Sequence, residues 1–256
     1  MMGLMTRNAS QIIVPCALPD SLLNTVKNAI STAWRMLREK VDQGAFSICR
    51  STEDQITAEL HELLGQIQAN QNCLVPGFDE ICAPIREPKV RDYQEKALDR
   101  MPDLAFHPLP GSIRTWNTTF TALFVECKPI DRQHPVVSVY GDNGMIRFLN
   151  GDYAWAVDKA LMVAYVRNHC VLPEGLYPAL AKTTLACSHS EVVTATCEGD
   201  SVFRSIHLRQ FELDSARVSL GPIQIDHLWL KTNSPCEPSR CRTHTSINGD
   251  GESRKP

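Results

Sequence analysis

The spacing of apolar residues changes at Asp103, and this change limits the possible folds more than any other feature. Upstream, apolar side chains recur every three or four positions and predict helices over residues 19–41 and 51–70. Downstream, short apolar segments bounded by turn residues predict strands. These segments span residues 103–107, 120–128, 183–187, 192–197, 202–211 and 223–230. The order of helices and strands predicts a fold of the α/β class.

Two further segments are predicted in the second half of the chain. Residues 136–140 and 145–149 flank an Asn-Gly pair, Asn143-Gly144, which favours a β-hairpin. Residues 151–168 are apolar on almost all sides, which predicts a buried helix.

The domain organisation follows from where composition changes. No linker is evident between residues 51 and 231, so this range is expected to form one α/β domain. Residues 1–50 are expected to be an N-terminal helical extension. From residue 232 to residue 256 the chain is rich in Ser, Pro, Gly and charge, which predicts a flexible C-terminal tail.

The composition predicts a soluble protein without a strong overall electrostatic field. The 256 residues are 43% hydrophobic, which is enough for a sizeable core. A net charge of -3 gives no general attraction to nucleic acid or to an anionic membrane, so such a contact needs a local patch. The ten cysteines are scattered through apolar segments, and neither a cleavable signal nor a membrane span is evident. We therefore expect a reduced chain in the cytoplasm, without a membrane partner.

A carboxylate and an ammonium end the strand predicted over residues 120–128. Because side chains alternate along a strand, Glu126 and Lys128 point to one face, and Cys127 points to the other as a core thiol. A charge at the rim of a core is costly without a partner, so Glu126 and Lys128 need each other or a ligand. A surface ion pair worth at most about 1 kcal/mol is the alternative interpretation.

Two further acids are candidates for the same site. If Asp103 lies on the strand next to Glu126, about 4 Å away, their repulsion is roughly 4 kcal/mol and a proton or cation must offset it. Mg²⁺ (or Mn²⁺) is the expected cation, and the backbone carbonyl of Cys127 can complete its ligands. Glu53, on the apolar side of the second helix, supplies a third acid. Its alternative role is a favourable interaction with the helix N-terminus.

These residues resemble the motifs of the PD-(D/E)xK nuclease superfamily. The matching strings are Pro102-Asp103 and Glu126-Cys127-Lys128 on successive strands. They follow the helix that carries Glu53 and precede the helix predicted over residues 151–168. The resemblance covers roughly residues 51–197 and implies a restriction-endonuclease-like mixed β-sheet flanked by helices.

The resemblance also implies roles for individual residues. Asp103 and Glu126 would hold Mg²⁺, Lys128 would orient or activate the attacking water, and Glu53 would assist at the metal. Some members carry a substrate-contacting Gln on the later helix, where this chain has Asp158-Lys159. The wider pattern is similar to bacterial members associated with restriction or phage defence.

Other polar residues are weaker candidates for binding. Arg204, His207 and Arg209 lie on or beside a predicted strand and can contact a phosphate, or they form an exposed polar face. A zinc site is the less favoured interpretation of a set of cysteines and histidines with no standard spacing. This set is Cys187, His189, Cys236, Cys241 and His244.

The sequence thus predicts an Mg²⁺-dependent deoxyribonuclease that cuts phosphodiester bonds. RNA is a less favoured substrate than DNA. A homodimer is the simplest way to cut both strands of a duplex with one site per chain. The alternative function is a nuclease-like fold kept as a binding or regulatory module without catalysis.

Overall fold

A seven-stranded β-sheet forms the centre of the computed structural model, which describes residues 15–70, 72, 74–94, 96–97, 99–115, 118–193, 195–211 and 220–233. The strands are β1 (Ile85–Arg86), β2 (Leu104–Phe106), β3 (Leu123–Ile130), β4 (Lys159–Val166), β5 (Cys187–Val193), β6 (Ser201–His207) and β7 (Ile223–Lys231). Their order across the sheet is β1-β2-β3-β4-β7-β6-β5. The central strands β3, β4 and β7 are parallel, and the outer pairs are antiparallel.

Helices cover both faces of this sheet. On one face, α1 (Asp20–Asp42) and α2 (Glu53–Ala69) pack together, and the Trp34 ring of α1 stacks on Tyr165 of β4 with centroids 5.6 Å apart. On the other face lies a π-helical segment, Val136–Met145, continued by α3 (Ile146–Leu149). A short helix, α4 (Tyr177–Leu180), follows β4. The predicted α/β class, with a mixed sheet flanked by helices, is confirmed.

The predicted N-terminal extension shares its core with the sheet. Trp34 is fully buried, and its indole Nε1 donates to the carbonyl of Lys231 at 2.8 Å. Apolar side chains of α1, α2 and the sheet form one cluster. Of the predicted tail, only Thr232 and Asn233 lie within the described residues.

The predicted buried helix over residues 151–168 is wrong, because residues 159–166 form β4. This strand pairs with β3 on one side and β7 on the other, and helices cover both of its faces. A central strand of this kind is apolar on both faces, so its sequence shows no alternation. A run of apolar residues without alternation fits either a buried helix or a buried strand.

The predicted hairpin over residues 136–149 is also wrong, because these residues are helical. One of the glycines that suggested a turn, Gly144, allows the π-helical segment to approach the sheet. A Cβ on Gly144 would lie 2.9 Å from Met162 Cε and 3.3 Å from Lys128 Cγ. Gly144 therefore fits a site of close packing, a second common reason for glycine.

The remaining strands differ mainly in their ends. The two strands predicted over residues 183–187 and 192–197 are replaced by the single strand β5, and the strand predicted to reach residue 211 ends at His207. Among the described residues, none of the helices combines the length and the hydropathy that a membrane span requires. Cys49 is disulfide-bonded, which corrects the expectation that every cysteine is reduced.

Candidate active site

The pairing of β2 with β3 brings two predicted acids side by side. In this antiparallel pair Leu104 lies opposite Val125, so the next position outward sets Asp103 beside Glu126. Asp103 Oδ2 accepts a hydrogen bond from the backbone amide of Cys127 at 2.5 Å. This bond fixes the Asp103 carboxylate against β3.

The ammonium of Lys128 lies among three carboxylates. Its Nζ is 2.5 Å from Glu53 Oε1, 3.1 Å from Glu126 Oε1 and 3.9 Å from Asp103 Oδ2. Glu126 and Lys128 share a face of β3, as alternation requires, and Glu53 reaches them from the first turn of α2. The structure therefore brings the four residues together in one group, here named the acid cluster.

Two residues of the segment after β3 complete the surroundings of Glu126. The Tyr153 hydroxyl donates a hydrogen bond to Glu126 Oε2, and Arg147 Nη1 lies 3.0 Å from Glu126 Oε1. The Glu126 side chain is 0% exposed, whereas that of Arg147 is 40% exposed. Oε1 has two cations beside it but receives no well-directed hydrogen bond from the described residues.

Burial and mutual repulsion alter the titration of the acid cluster. Burial and the nearby charge of Glu126 raise the pKa of Asp103 to about 7. Burial also raises the pKa of Glu53, although the charge of Lys128 opposes the shift. Burial alone would lower the pKa of Lys128, but the charges of Glu126, Asp103 and Glu53 outweigh it and raise the pKa. Lys128 is therefore a permanent cation at neutral pH, and Asp103 is poised to exchange a proton.

Contacts with the sheet hold the start of α2, and so place Glu53. Thr52 caps this helix by accepting from the amide of Gln55, whose side chain accepts from the Thr52 amide in return. The Thr57 hydroxyl bonds to the Tyr165 hydroxyl at 2.9 Å. Arg167 Nη2 donates to the carbonyl of Ser51 at 2.7 Å. These bonds tie the first turn of α2 to β4 and to the residue that follows it.

Cys127 enters the site through its backbone. Its side chain is fully buried on the face opposite Glu126 and Lys128, and burial raises the pKa of the thiol well above its usual range. Its amide bonds to Asp103. A role for its carbonyl as a metal ligand stays a prediction.

The donor set is compatible with a hard divalent cation held by two carboxylates. In the described part of the chain, no group of three or more His, Cys, Asp or Glu residues is placed to hold a metal ion. Mg²⁺ does not require such a group, because it commonly binds one or two carboxylates and keeps several waters. The buried Oε1 of Glu126, without a well-directed hydrogen bond, is an oxygen suited to such a cation.

The predicted phosphate-binding residues lie apart from the acid cluster and have partners within the protein. Arg204 Nε bonds to Asp226 Oδ1 at 2.7 Å. Arg209 donates to the carbonyls of Trp155 and Val157. Phosphate binding by these two arginines stays a prediction that no described contact supports.

His207, the third of these residues, belongs to a buried chain of polar groups. Its Nε2 bonds to Ser205 Oγ at 2.6 Å, and Ser205 Oγ bonds to His227 Nε2 at 2.7 Å. His227 Nδ1 bonds in turn to the Tyr140 hydroxyl at 2.9 Å. Burial lowers the pKa of His207 to about 4 and that of His227 to about 3, so both rings are neutral at pH 7. A neutral, fully buried ring offers no charge to a phosphate.

The zinc interpretation is largely outside the described residues. Cys236, Cys241 and His244 are not described. Cys187 and His189 lie in the edge strand β5, where Cys187 is partly buried and His189 is exposed.

Sequence patterns suggest that Arg147 can reach the site but give no geometric reason for it, and they favour core packing for Tyr153. Arg147 falls in the segment predicted as a hairpin, and Tyr153 falls in the segment predicted as a buried helix. Both segments have other structures, so their side chains could not be placed beside Glu126. A basic residue and a tyrosine shortly after the Glu126-Cys127-Lys128 string are the available signal, and it is a weak one.

No protein-family model matches this chain, and no curated protein sequence or solved structure is detectably similar to it. The function of the acid cluster must therefore be argued from its own geometry and chemistry.

Proposed function

We propose that this protein is a metal-dependent nuclease that hydrolyses phosphodiester bonds of DNA. The observation that carries the proposal is the convergence of Glu53, Asp103 and Glu126 on the ammonium of Lys128. An ordinary surface ion pair joins one acid to one base and contributes about 1 kcal/mol or less. Here a fully buried acid shares its cation with two more acids, and the pKa of one of them is strongly raised. Such perturbed groups cluster at functional sites.

Asp103 and Glu126 are the residues that would hold Mg²⁺ or Mn²⁺. Their carboxylates lie on neighbouring strands beside the same ammonium, and the repulsion between them favours a bound cation. When bound, the ion would polarise the scissile phosphate and lower the pKa of an attacking water.

Lys128 supplies a fixed positive charge at the place where negative charge develops during hydrolysis. Its raised pKa keeps it protonated, so it orients water or a phosphate oxygen as a hydrogen-bond donor. Glu53 holds the ammonium at 2.5 Å and acts through it as a positioning residue. The position of Glu53 is fixed, because the start of its helix is capped and bonded to β4.

The restriction-endonuclease-like fold is part of the same proposal. The supporting features are two acids on adjacent strands, a helix before them that carries Glu53, and a helical segment after them over residues 136–149. The proposal includes a homodimer that cuts both strands of a duplex. It also includes a cellular role in restriction or phage defence.

The test is nicking of supercoiled plasmid DNA in Mg²⁺ and in EDTA. Wild-type protein should nick the plasmid only in Mg²⁺, and Glu126→Gln and Lys128→Met should each lose at least about 100-fold in rate. Glu39→Gln, in an exposed pair on α1, is the matched control for removing one carboxylate. Equal rates in all four proteins would reject the proposal. Parallel reactions on RNA of the same sequence test the preference for DNA.

One observation favours a second function, a binding module without catalysis. Lys128 already offsets part of the acidic charge, and its side chain is only 9% exposed. An internal cation can replace a metal ion in a fold that has lost its activity. If calorimetry detects no binding of Mg²⁺ or Mn²⁺ to the folded protein, this second function is the better account.

A further inference from the structure

The two cations of the acid cluster differ in their access to solvent. Arg147 Nη1 and Lys128 Nζ lie 3.0 and 3.1 Å from the same oxygen, Glu126 Oε1. Lys128 is 9% exposed and lies within 4 Å of three carboxylates. Arg147 is 40% exposed, and Glu126 is the one acid within ion-pair distance of it among the described residues. Of the two cations beside Glu126, Arg147 is therefore the one that a ligand from solvent can reach.

The backbone of Arg147 is fixed, whereas its side chain is 40% exposed. The next two residues, Phe148 and Leu149, are fully buried, and the amide of Asp152 donates to the Arg147 carbonyl at 3.0 Å. The helical segment itself packs closely on the sheet at Gly144. The side chain can therefore change partner without movement of α3.

The guanidinium has the chemistry to bind a phosphate. It carries five N–H donors in a planar fork, which matches two oxygens of a phosphate at once. Departure of Arg147 would leave Glu126 paired with Lys128 and bonded to Tyr153. Release of the arginine thus does not leave a buried acid without partners.

We propose that Arg147 binds the non-bridging oxygens of the substrate phosphate, exchanging Glu126 for the phosphate as the substrate enters. The identity of the substrate as a nucleic-acid phosphodiester rests on the proposed nuclease function. The contact itself does not require catalysis, so it can be measured without a metal ion.

The first experiment measures binding of a fluorescent DNA duplex in EDTA as a function of salt. Arg147→Ala should weaken binding roughly tenfold and reduce the slope of log affinity against log salt by about one. Arg147→Lys keeps the charge but not the fork, so it should keep the slope and lose less affinity. Arg35→Ala on α1 removes a cation that is 39% exposed, and it should change neither quantity.

The second experiment separates phosphate binding from positioning of Glu126. In Mg²⁺, Arg147→Ala should raise KM for DNA roughly tenfold, in line with the weaker binding. Tyr153→Phe removes the buried hydroxyl that bonds to Glu126 and lies beside Arg147, but it keeps the guanidinium. It should therefore lower kcat and leave DNA affinity in EDTA unchanged. If Arg147→Ala behaves like Tyr153→Phe, Arg147 is a positioning residue and the inference is wrong.

The two proposals fail in different ways. If the wild type cleaves DNA and Arg147→Ala has the same KM and salt slope as Arg35→Ala, only the phosphate contact is overturned. DNA binding that depends on Arg147, without cleavage in any metal, supports the contact and overturns the nuclease function. Absence of both binding and cleavage in the wild type overturns both.

Discussion

Two fully buried carboxylates in this protein each lie beside one lysine and one arginine, yet the two sites differ. Asp226 on β7 receives Lys27 Nζ at 2.6 Å on one oxygen and Arg204 Nε at 2.7 Å on the other. Glu126 has both of its cations on the same oxygen, without a well-directed hydrogen bond. A carboxylate, a lysine and an arginine thus form two well-directed ion pairs at Asp226. At Glu126 both ion pairs fall on one oxygen, which receives no well-directed hydrogen bond from the described residues.

The neighbouring acids explain the difference. Burial alone would raise the pKa of Asp226, but the hydrogen bonds from Arg204 and the charge of Lys27 outweigh it and lower the pKa. At the acid cluster, Glu53 and Asp103 share Lys128 with Glu126, and burial with repulsion raises the pKa of Asp103. The charges at Asp226 are thus balanced, whereas the acid cluster retains unbalanced charge that a ligand can offset.

The largest effect on stability is expected at Asp226. Asp226→Asn leaves the buried Lys27 without a counter-charge, while Arg204 keeps Glu191 at 3.5 Å. The free energy of unfolding should fall by about 3–5 kcal/mol. Glu126→Gln should cost less, since Lys128 keeps Glu53 and Asp103 as partners and Arg147 is open to solvent. Urea denaturation at pH 7 measures both. Equal losses at the two sites would contradict the distinction between them.

Metal binding should stabilise the folded protein, and it should do so at the acid cluster and not at Asp226. Mg²⁺ at about a hundred times its Kd should raise the free energy of unfolding by about 2.7 kcal/mol, because it binds only the folded state. EDTA should reverse the gain, and Asp103→Asn should abolish it. Thermal unfolding with and without Mg²⁺ measures this effect, with Ca²⁺ as a second hard cation. A gain that persists in Asp103→Asn would place the cation elsewhere.

The two sites should respond to pH with opposite signs. The raised pKa of Asp103, about 7, means that the folded state binds a proton more tightly than the unfolded state. Its contribution to stability is full below the usual Asp pKa and is lost as the pH rises to about 7. The lowered pKa of Asp226 gives a contribution that is present above the usual Asp pKa and is lost in acid.

Asp103→Asn isolates the first of these contributions. Between about pH 4 and pH 7, the stability of the wild type relative to this variant should fall by about 1.4 kcal/mol per pH unit. At about pH 8, the variant should therefore be the more stable protein, although it should lack nuclease activity. Urea titrations at several pH values give the slope. A difference that does not change with pH would show that Asp103 is not crowded by its neighbours.

The smallest effect is expected at Arg147, with Arg204 as its counterpart at the other site. Arg147→Ala removes a half-exposed partner and should lower the free energy of unfolding by less than about 1 kcal/mol. Arg204 is 18% exposed and bonds to both oxygens of Asp226, so Arg204→Ala should cost about 2 kcal/mol or more. Thermal unfolding of both variants measures the two losses of stability. A larger loss at Arg147 would indicate a structural ion pair rather than a residue free to contact substrate.

Part of the acid cluster could be predicted from sequence because it depends on local geometry. Strand alternation is enough to put Glu126 and Lys128 on one face and Cys127 on the other. Helical periodicity is enough to turn Glu53 toward the apolar side of α2. The pairing partner of β3 required a further assumption, which came from the resemblance to a nuclease family.

The remaining residues of the site could not be predicted, because their segments have ambiguous patterns. A continuous apolar run is equally compatible with a buried helix and a central strand, so the pattern of β4 does not distinguish the two. An Asn-Gly pair commonly marks a turn, but Gly144 allows close packing of the π-helical segment on Lys128. With a hairpin and a helix predicted in these two segments, the contacts of Arg147 and Tyr153 with Glu126 could not be predicted.

Short-range periodicity dictates which side chains face the core, so it is enough to predict the α/β class, the helices α1 and α2, and the shared face of Glu126 and Lys128. Long-range packing brings acids from α2, β2 and β3 to one ammonium, and it leaves Asp226 satisfied and Glu126 crowded. The reason is physical: repulsion and desolvation depend on distances between residues far apart in the chain, and pairing of strands sets those distances.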